Sequence, residues 1–495
     1  MTGKEISMSR TVVEKFVDLI IKSDSPFTNV DRIYVTNLVF RLIGDGFGSP
    51  TDEDSAVDLA NELVNLAVTH GKIEDSITNR EILEDQLMDL LTPIPSKLND
   101  IFWTKYQESP EKATDYFYHL SQSNDYIKTR AIAKNISYTT ETEYGDLEIT
   151  INLSKPEKDP KAIAAAGRKK STSYPVGPLA IENEGYLGRL GYPARSNHRV
   201  IRMMINGEPW GFQYSPYAYF GEHAIFLNQK HVPMSINQRT FVNLTDILKQ
   251  LPHYFVGSNA DLPIVGGSLL AQDHYQGGRH TFPMMKATID RAIDLGIDGL
   301  EAGIVKWPMA TIRLMSQDAD KVVDAATRIA ETWKNYSDES VDIRAYTNGT
   351  RHHTVTPIAR MNGDQFEMNI VLRDNQTSDE YPDGIFHPHK DVQHIKKENI
   401  GLIEVMGRAI LPARLKTEMK EVEKYVLGED NQIADYHKPW ADQLKQKDHF
   451  TQKNTEELVN KEVGLVFARV LEDAGVYKWN DKGQAAFDRF VKAIK

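Results

Sequence analysis

Three Asn-Gly dipeptides, at 206–207, 348–349 and 362–363, constrain the fold of this chain more than any other local feature. Asparagine and glycine tolerate the positive φ that both central residues of a tight hairpin turn require. The first pair interrupts two apolar runs in VIRMMINGEPWGFQY, and HAIFLNQKH reads as the strand that follows. The other two lie in a second β region over 341–374, and GLIEVMGRAIL (401–411) reads as a strand ending at Pro412. Leu147, Ile149, Ile151 and Leu153 alternate with polar residues, the period of a half-buried strand. Hairpin signals outweigh alternating strand–helix units. The predicted class is therefore α+β with antiparallel sheet, not a doubly wound parallel sheet.

Around the β regions the apolar spacing turns helical. Val12, Val13, Phe16, Val17, Ile20 and Ile21 share one helix face, as do Val57, Ala60, Leu63, Val64 and Ala67 before a stop at Gly71. Ser109 followed by Pro110 is a helix start, with proline where its missing N–H costs nothing. Helical spacing recurs over 285–296 and 318–335 and again, highly charged, over 416–495. Four consecutive regions result: a helical one over 1–135, a β region carrying the candidate site over 136–284, a second α+β region over 285–415, and a helical one over 416–495. SKPEKDPKAIAAAGRKKSTSYP reads as a charged, exposed linker in the second of these.

The net charge of −12 over 495 residues argues against nucleic acid and against anionic membrane surfaces, which call for broad basic patches. A phosphorylated small molecule remains compatible, because a few local arginines suffice. No run approaches the roughly 18 apolar residues of a membrane span, and the N-terminus has no signal-peptide pattern. The expected compartment is the cytoplasm. With no cysteine in the chain, disulfides, thiolate nucleophiles and cysteine-ligated zinc are excluded.

The chemistry concentrates in residues 257–280, GSNADLPIVGGSLLAQDHYQGGRH. His274 stands in a polar, glycine-rich stretch two residues before Gln276, so extended backbone projects both side chains to one face. A neutral imidazole can attack phosphorus, and its unperturbed pKa of about 6.5 leaves most of it neutral near pH 7. Attack would divide a difficult exchange into two easier ones with ping-pong kinetics. The Gln276 amide could hold a phosphoryl oxygen without competing as a nucleophile. The paired glycines, and N–H groups near Gly277 and Gly278, could cradle phosphate. The same spacing also fits a hydrogen-bonded structural histidine. Arg195, Arg199 and Arg202 gather in ARSNHRVIR, where Arg195 is the loop residue suited to phosphate; the other two fit solvated strand positions equally well.

GSNADLPIVGGS…DHYQGG resembles the signature of class II galactose-1-phosphate uridylyltransferases, a branch of the histidine-triad-like nucleotidyltransferases. DRIYVTNLVFRLIG, ENEGYLGRLGYPARSNHRVIR, WGFQYSPYAYFGEHAIF and FHPHKDVQHIKKENIGLIEVMGRAILPARL resemble the same family in order along the chain. The resemblance implies transfer of UMP from UDP-glucose to galactose-1-phosphate, giving UDP-galactose and glucose-1-phosphate. It places the uridylyl group on His274, the phosphoryl-holding amide at Gln276, and nucleotide-phosphate contacts at Asn259 and Ser268. Family active sites often use two subunits, which implies a possible homodimer. The rival readings are a related nucleotide phosphorylase or hydrolase, and a UDP-sugar-binding sensor without catalysis.

The resemblance needs no cofactor for the chemistry, but many relatives carry a structural zinc. Here Gly177, Ala180 and Gln272 stand at three of its ligand positions, and the resemblance leaves His231 as the candidate for the fourth. One histidine cannot hold the ion, so zinc is expected to be absent. His387-Pro388-His389 resembles the HxH that binds a structural iron or zinc in class I enzymes. In a strand both rings would share a face, with His280 or His394 as a further ligand; exposed or substrate-binding histidines are the rival reading. The spacing from His389 to Gly407 resembles the class I sugar-phosphate strand, which makes Arg408 a candidate for the hexose-1-phosphate.

Overall fold

A computed structural model describes residues 10–154, 174–267 and 269–494. All but the ends of the charged linker therefore lie outside the described residues. The chain divides into two compact units. The first comprises Met1–Arg130, Pro156–Met203 and Pro209–Ala218, and the second Ala131–Lys155, Met204–Glu208 and Tyr219–Lys495.

The first unit is built on helices α1 (Val12–Lys22), α2 (Arg32–Ile43), α3 (Ala56–Thr69), α4 (Ile77–Asp89), α5 (Pro95–Tyr106) and α6 (Pro110–Ser123). Thr11 starts α1 through a capping box: the Glu14 N–H donates to its hydroxyl, and the Glu14 carboxylate accepts from the Thr11 N–H. Ser109 caps α6 with Pro110 in the first turn, as its sequence predicts. The apolar stripes of α1 to α4 face one another, and Phe16, Val39, Leu63 and Leu87 are fully buried. Each such side chain contributes about 1.5–3 kcal/mol on leaving water. His198 is buried in this unit with its ring stacked 4.5 Å from that of Tyr126. The strands β3 (Ile201–Ile205) and β4 (Glu208–Tyr214) flank the Asn206-Gly207 turn, where φ is 50° and 72°.

Among the described residues the second unit carries strands of two larger sheets and one two-stranded sheet. In the smaller of the first two, β1 (Ile136–Thr142) pairs antiparallel with β2 (Gly145–Ile151), and β15 (Arg408–Leu411) joins β2 in parallel. The larger draws on β5 (Ala224–Asn228), β6 (Phe255–Gly257), β7 (His274–Gly278), β8 (Ile289–Ile293), β9 (Glu301–Val305), β10 (Thr311–Ser316), β13 (His353–Asn362) and β14 (Gln365–Asp374). Their order is β5-β7-β6-β13-β14-β10-β9-β8, with every neighbouring pair antiparallel. Both β regions of the sequence thus supply strands to one sheet. Asn348-Gly349 closes the two-residue strands β11 (Tyr346–Thr347) and β12 (Thr350–Arg351), and Gly363 turns β13 into β14.

Two local expectations fail. The segment 285–296 is a short helical turn, Pro283–Lys286, followed by the edge strand β8, because pairing with β9 outweighs the helical spacing. The strand expected over 401–411 begins as a helical turn, Leu402–Val405. The Glu404 carboxylate accepts the Gly401 N–H there, and Gly407 at φ 99° redirects the chain into β15. The C-terminal segment is helical as predicted, with helices Leu415–Leu427, Lys438–Lys447, Thr455–Ala474 and Asp481–Ala493. Among the described residues no helix is long and apolar enough to cross a membrane.

Gly464, inside helix Thr455–Ala474, explains how that helix seats on β1: a Cβ there would lie 2.0 Å from the Thr140 hydroxyl. Gly464→Ala is expected to destabilise the protein by about 1–3 kcal/mol, although alanine is the better helix former. Chemical denaturation showing a gain in stability would refute this packing. Burial pushes the pKa of His198 down to about 3. The unfolded chain, near 6.5, then takes up a proton that the native state refuses, so stability falls as pH falls between these values. Relative to His198→Gln, the native protein should lose about 2 kcal/mol between pH 7 and pH 5. Parallel denaturation curves across that range would contradict it.

Candidate active site

The site is organised by β7, whose register sets two strands around it. His274 pairs with Leu227 of β5, and Gln276 pairs with Ile225 of β5 and Gly257 of β6. Alternation along β7 places His274 and Gln276 on one face, as their spacing predicts. His274 is buried, and its Nδ1 lies 2.8 Å from the Gln272 carbonyl oxygen. A carbonyl can only accept, so Nδ1 carries the proton and Nε2 keeps the lone pair. Burial holds the pKa of His274 below its ordinary value, although the Gln272 carbonyl and the Asp273 charge act the other way. Asp273 is itself engaged by Asn228 at 3.0 Å and Arg239 at 2.8 Å. The result is a neutral imidazole with one nitrogen available for attack.

The Gln276 carbonyl oxygen lies 2.9 Å from Nε2 of His223, a residue just before β5. Nδ1 of His223 accepts the Tyr219 backbone N–H at 3.5 Å, and the ring stacks on Phe220 at a centroid distance of 4.6 Å. Burial pushes the His223 pKa down to about 4. The sequence offered no reason to single out His223. The hydrophobic run HAIFLN marks a strand, and only the β5–β7 register brings the histidine to Gln276.

Asn259 is buried and accepts the Leu402 N–H at 2.9 Å, at the start of helix Leu402–Val405. A Cβ on Gly267 would lie 2.8 Å from the Asn259 amide nitrogen. One on Gly266 would meet the Ala260 and Leu262 carbonyls, and one on Gly277 or Gly278 would meet those of Phe255 or Glu222. Gly266, Gly277 and Gly278 therefore serve close approach of the protein's own backbone, and Gly267 that of the Asn259 side chain. Gly277 and Gly278 sit in the ladder of a strand paired on both sides. Ser268 lies outside the described residues. Arg408 pairs in register with Glu148, its Nε 3.4 Å from that carboxylate, which also accepts from His280 at 3.0 Å. The Arg408 charge contributes to keeping His223 neutral. These contacts bring Gln276, His223 and Arg408 into one neighbourhood of the second unit.

The first unit holds Arg195, whose guanidinium lies 5.8 Å from the Tyr126 ring centroid and donates to the Ala194 carbonyl. Arg199 is buried on Asp89 and the Pro93 carbonyl, and Arg202 is tied to Glu184, so both are structural.

Neither candidate metal position has a complete ligand set among the described residues. Residues 387–389 are irregular backbone, not the strand the HxH argument assumed. His387 Nε2 is 3.3 Å from the Asn399 carbonyl oxygen, while His389 Nε2 faces the Ile385 carbonyl at 2.9 Å and its ring stacks on Tyr381. His280 is held by Glu148, and His394 lies 2.9 Å from His437. Among the described residues no group of three or more potential ligands surrounds a metal position. The zinc positions do not fit the ion either. Gly177 and Ala180 have no donor side chain, and Gln272 is a neutral amide whose buried nitrogen has no partner among the described residues. The turn over 177–180 is held by hydrogen bonds instead. Asn183 donates to the Gly177 and Ala180 carbonyls at 2.8 Å, and the Tyr192 hydroxyl lies 3.0 Å from the Gly177 carbonyl.

Residues 25–233 match the N-terminal domain of galactose-1-phosphate uridyl transferase, and residues 247–442 match its C-terminal domain. The chain is 65% identical to the galactose-1-phosphate uridylyltransferase of Pediococcus pentosaceus over 97% of its own length and 99% of the relative's. The protein of that name from Lactiplantibacillus plantarum is 64% identical, covering 98% of this chain and 99% of its own. Galactose-1-phosphate uridylyltransferase 1 of Streptococcus pneumoniae is 56% identical over 98% of this chain and 99% of the relative. Matched in both halves and aligned with these relatives almost end to end, the chain belongs to the galactose-1-phosphate uridylyltransferase family.

Proposed function

We propose that this chain transfers UMP from UDP-glucose to galactose-1-phosphate through a uridylyl-His274 intermediate. The observation that carries the reading is the fixed tautomer of His274, with Nδ1–H on the Gln272 carbonyl and the Nε2 lone pair available. Nε2 attacks the α-phosphorus of UDP-glucose, the bond to the bridging oxygen breaks, and glucose-1-phosphate leaves. A phosphate oxygen of galactose-1-phosphate then attacks the same phosphorus, the N–P bond breaks, and UDP-galactose leaves with His274 neutral again. The Gln272 carbonyl supports the positive charge that develops on the ring at each attack.

Gln276 is the amide donor to the transferred phosphoryl group. Asn259 and Ser268 are assigned to the nucleotide phosphates, Arg195 to a substrate phosphate and Arg408 to the hexose-1-phosphate. None of these steps is routed through a metal, and Gly177, Ala180 and Gln272 do not fit a zinc ion.

Incubation with UDP-glucose alone should leave a stable uridylyl-protein and release one equivalent of glucose-1-phosphate. Continuous UMP release would instead mark a hydrolase, and no labelled protein a binding-only role. His274→Ala should abolish the intermediate and lower turnover by about a thousandfold or more. Full turnover in that variant would remove His274 from the mechanism. Burial holds the pKa of His274 below 6.5, so the loss of uridylylation rate on acidification should have its midpoint below pH 6.5. A midpoint above pH 7 would contradict the burial argument.

A further inference from the structure

Resting on the uridylyl-transfer reading, we propose that His223 is a positioning residue that fixes which end of the Gln276 amide meets the transferred phosphoryl group. A glutamine amide is nearly symmetric in shape, and a half-turn exchanges its oxygen for its nitrogen. One orientation offers N–H donors to a phosphoryl oxygen. The other presents lone pairs to an anion and repels it. Packing alone discriminates poorly between two shapes so alike, so a hydrogen-bond partner of defined polarity must choose.

His223 has that polarity because its own tautomer is fixed from behind. The Tyr219 backbone N–H can only donate, and it points at Nδ1. Nδ1 is therefore the acceptor, and the proton sits on Nε2, which faces the Gln276 carbonyl oxygen at 2.9 Å. The NH2 group is then the end left for the substrate. The ring is itself held, 3% exposed and stacked on Phe220 at an interplanar angle of 27°. Phe220 in turn lies 5.6 Å from the His280 ring, which is bonded to Glu148. Burial and the nearby Arg408 keep His223 uncharged. It thus orients the amide without placing a cation where charge would compete for the phosphoryl group. The chain of bonds runs from a backbone N–H through His223 to the Gln276 amide, and every link has one possible direction.

The experiment measures single-turnover uridylylation by UDP-glucose in the whole protein, with His223→Leu, His223→Gln, Gln276→Ala and the His223→Leu/Gln276→Ala double variant. His223→Leu should slow formation of the uridylyl-protein by about ten- to a hundredfold, with KM for galactose-1-phosphate unchanged. His223→Gln, whose amide N–H can reach the same oxygen, should recover most of the rate. In the Gln276→Ala background the leucine substitution should add nothing, because the group it acts through is gone. Equal slowing in both backgrounds, wild-type rate in His223→Leu, or wild-type rate in Gln276→Ala would each overturn the proposal. If His223→Leu fails to fold, 15N NMR of the histidine-labelled native protein decides, with the His223 resonances identified by their loss in His223→Gln. Nε2 must be protonated and Nδ1 not, and the opposite tautomer would refute the assignment. A native protein that forms no uridylyl-histidine would instead sink the transfer reading itself, whatever the tautomer.

Discussion

The 2.8 Å contact between Nδ1 of His274 and the Gln272 carbonyl is the interaction on which the chemistry of this protein depends. A buried imidazole without it could place its proton on either nitrogen, and one of the two tautomers has no lone pair at Nε2. The bond fixes the tautomer from a backbone atom two residues away. Its geometry is therefore set by the chain entering β7 and needs no distant side chain. Burial completes the effect by keeping the ring neutral.

That arrangement needs β7 to be held on both sides, and the surrounding glycines make this possible. A Cβ on Gly277 would meet the Phe255 carbonyl at 2.5 Å, and one on Gly278 the Glu222 carbonyl at 2.2 Å. Their absence lets β5 and β6 close on the strand that carries the histidine. The same closeness delivers His223 to Gln276. Charge is kept at one remove from the reacting centre. His274 and His223 are held neutral by burial, while Arg408 is balanced by Glu148 on the neighbouring strand. A half-buried arginine with a carboxylate at 3.4 Å keeps its charge without an unpaired desolvation cost.

At Gly177 and Ala180 this chain uses neutral hydrogen bonds. The Asn183 side chain spans the turn from Gly177 to Ala180 by donating to both carbonyls, and Tyr192 joins from the other side. A metal organises such a turn through four strong ligands; here one buried amide and one phenol satisfy its carbonyls directly. The HxH pair follows the same pattern, each ring engaged by an oxygen of its own neighbourhood.

Local sequence determined a good deal of this protein. Asn206-Gly207 and Asn348-Gly349 dictate their turns because both residues of each accept positive φ. Ser109-Pro110 dictates a helix start, and the spacing of His274 and Gln276 dictates a shared face. Sequence spacing misread 285–296 and 401–411, where pairing with β9 and a reversal at Gly407 overrode it. Only the tertiary structure decided which nitrogen of His274 is free and that His223 meets Gln276. It also gave His387 and His389 separate oxygen partners, Asn399 and the Ile385 carbonyl. Those outcomes turn on the direction of hydrogen bonds between strands far apart in the chain, and local spacing carries no information about them.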